Sequence, residues 1–426
     1  MKYPNYFLAK KAAAGSLILT LVLSLLISIA CCSLLLLLYF HGLMYSGYAE
    51  HGRLNNNVES AINIVLADTS INAARSVDSL NLFGSTEDPV VISKELWGLQ
   101  QFVSVKAIGR RIQEQRSFLC ASGMPAELKA ALFLADHQRP LQFSGKGKIN
   151  GDLFLPKAGL LKNTHDTEVE LSGNFSHVSD SLPLLNDQLN FYLDSFLNKF
   201  VFETADQNTS LLNSSESIEQ DFLDTALIIR SKEEIILRTA ASFKGKVIIA
   251  SAKEIMIEEG AQLDNILLWA PVIRFKNGFR GILQAFATDS LIVGSDCSFG
   301  YPSSLLLIKP EAIDGKGFIE IGTGTEIKGI VIGVTRGARA PAIFASLDEN
   351  TVVTGIVYIN GYLEEKGVVN GCILTDFFMY RSTTGNFENN FHAPHIDRKM
   401  LPEFFVCPAI FKSSTRLNIT QWQHNY

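Results

Sequence analysis

The sequence predicts a mainly-β protein: a single-stranded parallel β-helix behind an N-terminal transmembrane helix, with a small α+β region and a helical insertion. Three observations carry that prediction. One short phrase recurs along the chain, its apolar positions return at near-constant spacing, and a long apolar stretch precedes all of it.

The phrase reads LDENTVVTGIVY at 347–358 and LEEKGVVNGCIL at 363–374, 16 residues later. Further copies are IGTGTEIKGIVI at 321–332, IEEGAQLDNILL at 257–268 and FSGKGKINGDLF at 143–154. Each has an apolar residue, a polar turn, a second apolar residue, polar or Gly residues, then an apolar run. Thr239, Ile257, Phe275 and Val293 lie 18 apart, as do Leu237, Ile255, Ile273 and Leu291. Ser242, Gly260, Gly278 and Asp296 stand at the expected corners. A period of 16 to 18 is too short for helical repeats and suits one β-helix coil. Alternation of apolar and polar residues turns every second side chain inward. Gly, Asn and Asp supply the backbone angles of sharp corners. A single coil cannot bury its own face, so stability comes from stacking. The gaps lengthen to 28 between Val293 and Ile321 and to 26 between Ile321 and Leu347, which favours a right-handed coil with loop insertions. Apolar residues six apart (Ile257, Leu263, Trp269, Phe275) are the competing left-handed pattern.

The V-x-x-G-x-V texture of IKGIVI, VTGIVY and VNGCIL resembles bactofilin-like and other polymer-forming β-helix proteins. That resemblance implies a structural, self-assembling role.

In chain order, residues 1–11 form a basic tail with Lys2, Lys10, Lys11 and no acid. Residues 12–45 are read as the transmembrane helix, since 12–49 contain no Asp, Glu, Lys or Arg. About 20 apolar residues span a bilayer, and a cleaved signal has only roughly 7–15. The basic flank predicts a cytoplasmic N-terminus and a periplasmic or extracellular remainder, at the inner membrane of the cell. Cys31 ends an Ala-Cys pair, but apolar sequence follows it, against lipoprotein cleavage. KKAAAG followed by SLIL is similar to the start of a type IV pilin-like precursor; that family has Glu where this chain has Thr20. Residues 46–68 continue as an amphipathic stem, with Leu54, Val58, Ala61, Ile62 and Val65 on one face. A stem followed by a hairpin is again pilin-like in layout.

Residues 69–138 form the α+β region. Residues 97–108 and 111–119 read as a hairpin about Gly109, placed to cap the first open edge of the solenoid. Residues 124–137 read as a short helix. The solenoid spans 139–380, with a helix and Ser/Asn-rich loop inserted at 182–225. Residues 381–426 form a loop and a cap, 401–411 closing the last coil, with Trp422 against it.

Chemistry is sparse. Net charge is −6, which implies no nucleic-acid affinity. Six cysteines show no CxxC or Cys/His spacing, so no metal, cofactor or disulfide framework is expected. Asp289 and Asp296, with Arg274 and Arg280 one coil earlier, could form a polysaccharide-cleaving cluster, yet Asp296 falls at a corner where turn chemistry explains it. No His lies between His177 and His392, which removes acyltransferase chemistry from the regular coils. His392, His395 and Asp397 could pair on a metal, but Pro394 argues for a loop. The Asn-x-Ser/Thr triplets at Asn174, Asn208, Asn213 and Asn418 are incidental outside a eukaryotic secretory route. The expectation is a non-enzymatic cell-envelope structural or assembly protein. Its partners are the lipid bilayer and other proteins or its own copies. The alternative is a glycan-binding or glycan-cleaving ectodomain.

Overall fold

A computed structural model describes residues 6–68, 76–84, 88–175, 177–179, 181–182, 206–213, 217–310, 315–335, 343–407, 411 and 416–423. The helix expected at 182–202 lies outside the described residues apart from Leu182, as does the start of the basic tail. The chain is mainly β, with one long N-terminal apolar helix. It divides into two compact units.

The first unit comprises Met1–Ile62, Ser79–Val91 and Val105–Gln115. Its helix α1, Tyr6–Ala67, runs 62 residues without a break. At 1.5 Å per residue that is roughly 90 Å, far longer than the ~30 Å hydrocarbon layer. Leu17, Leu25, Leu37 and their neighbours are more than half exposed. Beyond them the burial changes: Leu54 and Val58 are fully buried. Within this unit the helix is held by polar ties. The Arg111 N–H donates to Glu50 Oε1 at 3.0 Å, Arg53 Nε donates to Asp88 Oδ2 at 3.1 Å, and His51 lies 2.7 Å from Glu114. At Gly109 a Cβ would meet the carboxyl end of Glu50 and a methyl of Leu54, so the absence of a side chain there leaves both tips where they pack.

The second unit comprises Asn63–Asp78, Ile92–Ser104 and Arg116–Tyr426. Its centre is a sheet that joins 22 strands among the described residues, parallel except where Gly385–Glu388 pairs antiparallel with Val368–Ser382. Successive repeats pair in register. One inward row runs Ile235, Ile255, Ile273, Leu291, Ile319, Ala345, Leu363. The next runs Leu237, Ile257, Phe275, Val293, Ile321, Leu347, Glu365. All the aliphatic and aromatic members of both rows are buried. Each fully buried Ile or Leu contributes roughly 1.5–3 kcal/mol, and no repeat gains that without its neighbours.

The register corrects the repeat at both ends. The 18-residue spacing holds from Ile257 to Val293, but Ile257 pairs with Leu237 rather than Thr239. Ala240, not Ser242, therefore takes the corner, and Ser242 opens a strand. At the other end Val353 pairs with Val369 as the 16-residue offset requires. Leu347, however, pairs with Glu365 and not Leu363. Shortened corners absorb the difference. Asp296 and Gly278 occupy left-handed corners as expected (φ 56° and 80°).

The glycine of the V-x-x-G-x-V phrase has a steric cause. Gly329, Gly355 and Gly371 are stacked in register at φ 156°, 154° and 158°. A Cβ on Gly355 would run into the Gly329 carbonyl oxygen, and one on Gly371 into that of Gly355.

The apolar run after each glycine is buried on both faces, as in parallel strands covered from both sides. Its outward members, including Ile248, Leu267, Trp269, Phe286, Leu306, Ile332 and Tyr358, form a second core. Residues 92–104 and 116–122 cover its first part through Leu96, Trp97, Leu99, Phe102 and Leu119. Trp97 Nε1 donates to the Asn265 carbonyl at 3.0 Å, and the Leu99 N–H donates to Gln284 Oε1 at 2.7 Å. This segment thus covers a flank and does not cap an edge. The same holds for Leu401, Phe405 and Phe411, which lie beside Ile330, Ile356 and Tyr358. Strand Leu417–Gln423 pairs antiparallel with Gln113–Ser122, setting Trp422 against Phe118.

The stacking order departs from chain order. Leu132–Leu134 pairs with Val368–Ser382, and Leu141–Asn150 pairs with Asn390–His392 and His395–Asp397. Leu160–Ser172 stacks outside Leu141–Asn150. The early phrase at 143–154 therefore extends the C-terminal end of the stack and does not precede Leu237. Two local expectations change with it. Residues 124–137 contain only the short turn Ala126–Lys129 and then strand Leu132–Leu134, because Leu132 and Leu134 are recruited to the core. The loop expected at 383–394 forms strands Gly385–Glu388 and Asn390–His392.

Candidate functional site

The residues singled out for chemistry are not gathered by the fold. Asp289 Oδ1 accepts from Lys309 Nζ at 3.2 Å, and its Oδ2 accepts from Ser290 Oγ at 3.0 Å. Lys309 is 1% exposed, so Asp289 serves as the counter-ion of a buried ammonium. Arg274 Nε donates to Glu254 at 3.0 Å. Asp296 holds its corner, its amide donating to the Thr323 carbonyl. Among the described residues no hydrogen bond or ion pair joins Asp289, Asp296, Arg274 and Arg280.

The histidines are also engaged. His392 Nδ1 lies 3.0 Å from Ser144 Oγ, and the ring stacks on Tyr380 at 4.3 Å. Burial lowers its pKa. His395 Nδ1 lies 2.9 Å from the Ala393 carbonyl, and Asp397 accepts from Asn150 and from the Lys399 amide. Among the described residues no group of three His, Cys, Asp or Glu could hold a metal.

Two outward features remain. Phe318, Phe344, Tyr362 and Phe377 form one row over four repeats. Beside it is a cavity of about 470 Å³. Three of the four rings are already in use: the Arg381 guanidinium covers Phe344 at 4.3 Å, Tyr362 stacks on Phe377 at 5.0 Å, and His137 stacks on Phe377 at 4.2 Å. From Phe344 to Phe377 the row is a self-satisfied ladder.

The other feature is a cleft of about 390 Å³ lined by Glu219, Asp221, Phe222, Lys244, Asp264 and Asn265, with residues 421–423. Its polar floor follows from the repeat. Glu219 pairs with Lys244 and Lys244 with Asp264, so an acid, a base and an acid share one outward row. Adjacent rungs lie about 4.8 Å apart. Lys244 Nζ is 3.9 Å from Glu219. Burial pushes the Asp264 carboxyl up; Lys244 pulls it back and Glu219 pushes it further up. Asn265, at φ 60°, donates from Nδ2 to Asp264 Oδ1 at 2.9 Å. Phe222 is fixed edge-on to Trp97, and Trp422 remains 45% exposed. Gln421 Oε1 and Gln423 Nε2 are buried without hydrogen-bond partners. Sequence reasoning missed this cleft; the separation of Lys244 from Asp264 by one repeat was its only local trace.

One buried group is unlike its row. Glu365 is 4% exposed between inward aliphatic positions, and neither carboxyl oxygen has a partner of good geometry. Burial holds its carboxyl well above the ordinary range, the Gly367 N–H opposing only in part.

No family model matches the chain, and no curated protein matches its sequence. Among solved structures it is similar to the competence-associated pilin ComZ from Thermus thermophilus, with 8% identity over 88% of this chain and 96% of that chain. The TM-score is 0.24, a likeness too slight to bear on function.

Proposed function

We propose that this chain is a membrane-anchored envelope protein that presents a single-stranded parallel β-helix outside the cytoplasm as a non-enzymatic scaffold or assembly subunit. One observation carries the reading. The exposed apolar part of α1 passes without a break into a stretch whose Leu54 and Val58 are fully buried. Exposed Leu side chains over such a length are costly in water and favourable in lipid. Tyr39, Phe40, Tyr45 and Tyr48 collar the outer end, where aromatic rings settle at a membrane interface. Lys2, Lys10 and Lys11 orient the N-terminus inward by the positive-inside rule. The parallel rows with their flank-covered central strands support the β-helix, and the engaged carboxylates and histidines support a role without catalysis.

The test is a phosphatase reporter fused after Asn57, which is active only outside the cytoplasm. Activity there, lost when Lys2, Lys10 and Lys11 are replaced by Glu, supports the anchor and its orientation. A cytoplasmic reading overturns it. Crosslinking in membranes that yields only isolated monomers overturns the assembly role.

A further inference from the structure

We propose that the hairpin tip at 108–112, together with Phe83, docks into the phospholipid headgroup layer around α1. Arg110 and Arg111 sit on lipid phosphates, and Ile108, Ile112 and Phe83 enter the boundary between headgroups and acyl chains. The proposal rests on the anchor reading and adds a second contact with the bilayer.

Depth follows from the helix. Residues 15–42 of α1 are exposed all round. Leu43 and Gly47 are half-buried, and Glu50 and Leu54 are buried. Positions 43, 47, 50 and 54 share one helical face, so the cover on that face begins at Leu43. The tip is tied to the same face: the Arg111 N–H donates to Glu50 Oε1 at 3.0 Å, and a Cβ on Gly109 would meet the ends of Glu50 and Leu54. Phe40 ends the unbroken apolar run, three residues before Leu43 and ten before Glu50. At 1.5 Å per residue these steps are about 4.5 and 15 Å. Headgroups occupy roughly 5–8 Å beyond the hydrocarbon on each side. A cover that starts at Leu43 therefore starts inside that layer. Tyr45 and Tyr48, 72% and 71% exposed, mark the same level.

The topology brings a second loop to this end. Strand Val90–Trp97 starts where strand Gln100–Ile108 finishes, the Ile108 N–H donating to the Pro89 carbonyl at 3.0 Å. The turn Leu82–Gly84 precedes the first of these strands and so lies at the same end. Its Phe83 is 78% exposed.

The side chains suit the headgroup layer. The tip reads Ile-Gly-Arg-Arg-Ile, two exposed arginines between two isoleucines that are 38% and 37% exposed. A guanidinium meets a phosphate with two parallel hydrogen bonds. The acids of this end are engaged on the helix side: Asp88 accepts from Arg53, Glu50 from the Arg111 amide, and Glu114 lies against His51. The tip itself contains no acid. A soluble anion would meet the arginines but leave both isoleucines and Phe83 in water. The headgroup layer takes all five.

The experiment uses the full chain in nanodiscs of phosphatidylglycerol and phosphatidylethanolamine. Cys31 and Cys32, the exposed thiols, are replaced by Ser; the other four are buried. A nitroxide is attached at Ile112→Cys or, for comparison, at Glu59→Cys, an exposed helix position nine residues beyond Glu50. Collisions with oxygen, which concentrates in lipid, and with a water-soluble nickel chelate give the depth. A cation at an anionic bilayer surface is worth about 5-fold, so the oxygen-to-nickel ratio at 112 should exceed that at 59 by ~5-fold or more. Arg110→Gln with Arg111→Gln should remove most of that difference. The Arg111→Gln change keeps the backbone N–H that Glu50 accepts, so the tie to the helix survives it. If the double variant fails to fold, ~1 M salt, which shortens the Debye length to about 3 Å, should lower the ratio in its place. Equal ratios at 112 and 59, or a ratio at 112 unchanged by loss of the arginines or, in their stead, by salt, overturns the proposal. Flotation with vesicles reads the anchor separately. A chain that does not float overturns the anchor, whereas a floating chain with a water-exposed tip overturns only the headgroup contact.

Discussion

Ser144 Oγ lies 3.0 Å from His392 Nδ1 across 248 residues of sequence, and the rings of Phe143 and Phe391 stand opposite each other beside this contact. Phe143 and Phe391 are each 1% exposed, and Phe378 stacks on Phe391 at 4.2 Å. Either phenylalanine replaced by Ala should cost about 3–5 kcal/mol. The double variant should lose less than the sum, with a coupling of about 0.5–3 kcal/mol. Thermal unfolding of all four proteins measures it; strict additivity would refute the contact.

Gly355→Ala tests the glycine stack. Its φ of 154° and the Gly329 carbonyl leave no place for a methyl group. A loss of several kcal/mol is expected, roughly 2–4. Gly159→Ala, at φ 72° but with open space around it, should cost only the backbone term of about 1 kcal/mol. Melting temperatures in that order support the stack, and equal losses refute it.

Glu365 should make stability depend on pH. Its folded carboxyl titrates above the ordinary 4.5, so the unfolded chain ionises first as pH rises. Its destabilising effect is therefore absent below about pH 4 and grows above it. Glu365→Gln should raise the melting temperature at pH 7 relative to the parent, with the gap closing at pH 4. Melting curves at both pH values check this. A gap that is equal at both, or that widens at pH 4, refutes it.

The Asp289–Lys309 pair separates a structural from a catalytic carboxylate. Asp289→Asn leaves a buried ammonium without its counter-ion and should destabilise by about 1–3 kcal/mol, the cost of a poorly satisfied buried donor. Lys309→Met, which removes the charge itself, should be near neutral. Denaturant midpoints of the two variants should differ in that direction.

The inward rows from Ile255 to Val293 were legible in sequence because alternation and an 18-residue period state the same register twice. The apolar runs were visible, but not why they were apolar on both faces; that depends on Trp97 and Phe102, which sequence order places far from Trp269 and Phe286. The place of Leu132 and Phe143 was not legible, since their partners Ile373 and Phe391 are fixed by long-range pairing and no local pattern marks it. Reading Leu363 opposite Leu347 matched like with like and hid the buried Glu365. The cleft escaped for a related reason: Glu219, Asp264 and Trp422 come from separate stretches, and each alone looks like ordinary surface.

Chain order and stacking order disagree, and this governs how the protein can be made. Ser144 leaves the ribosome 246 residues ahead of Asn390, the residue it will touch. Until then the apolar row of Leu141, Phe143 and Ile149 has no neighbour on that side, so the nascent chain carries an adhesive surface through most of its synthesis. Maturation cannot proceed simply from first residue to last. It waits on the C-terminal strands, and a chain released early would keep that surface open to any other strand nearby.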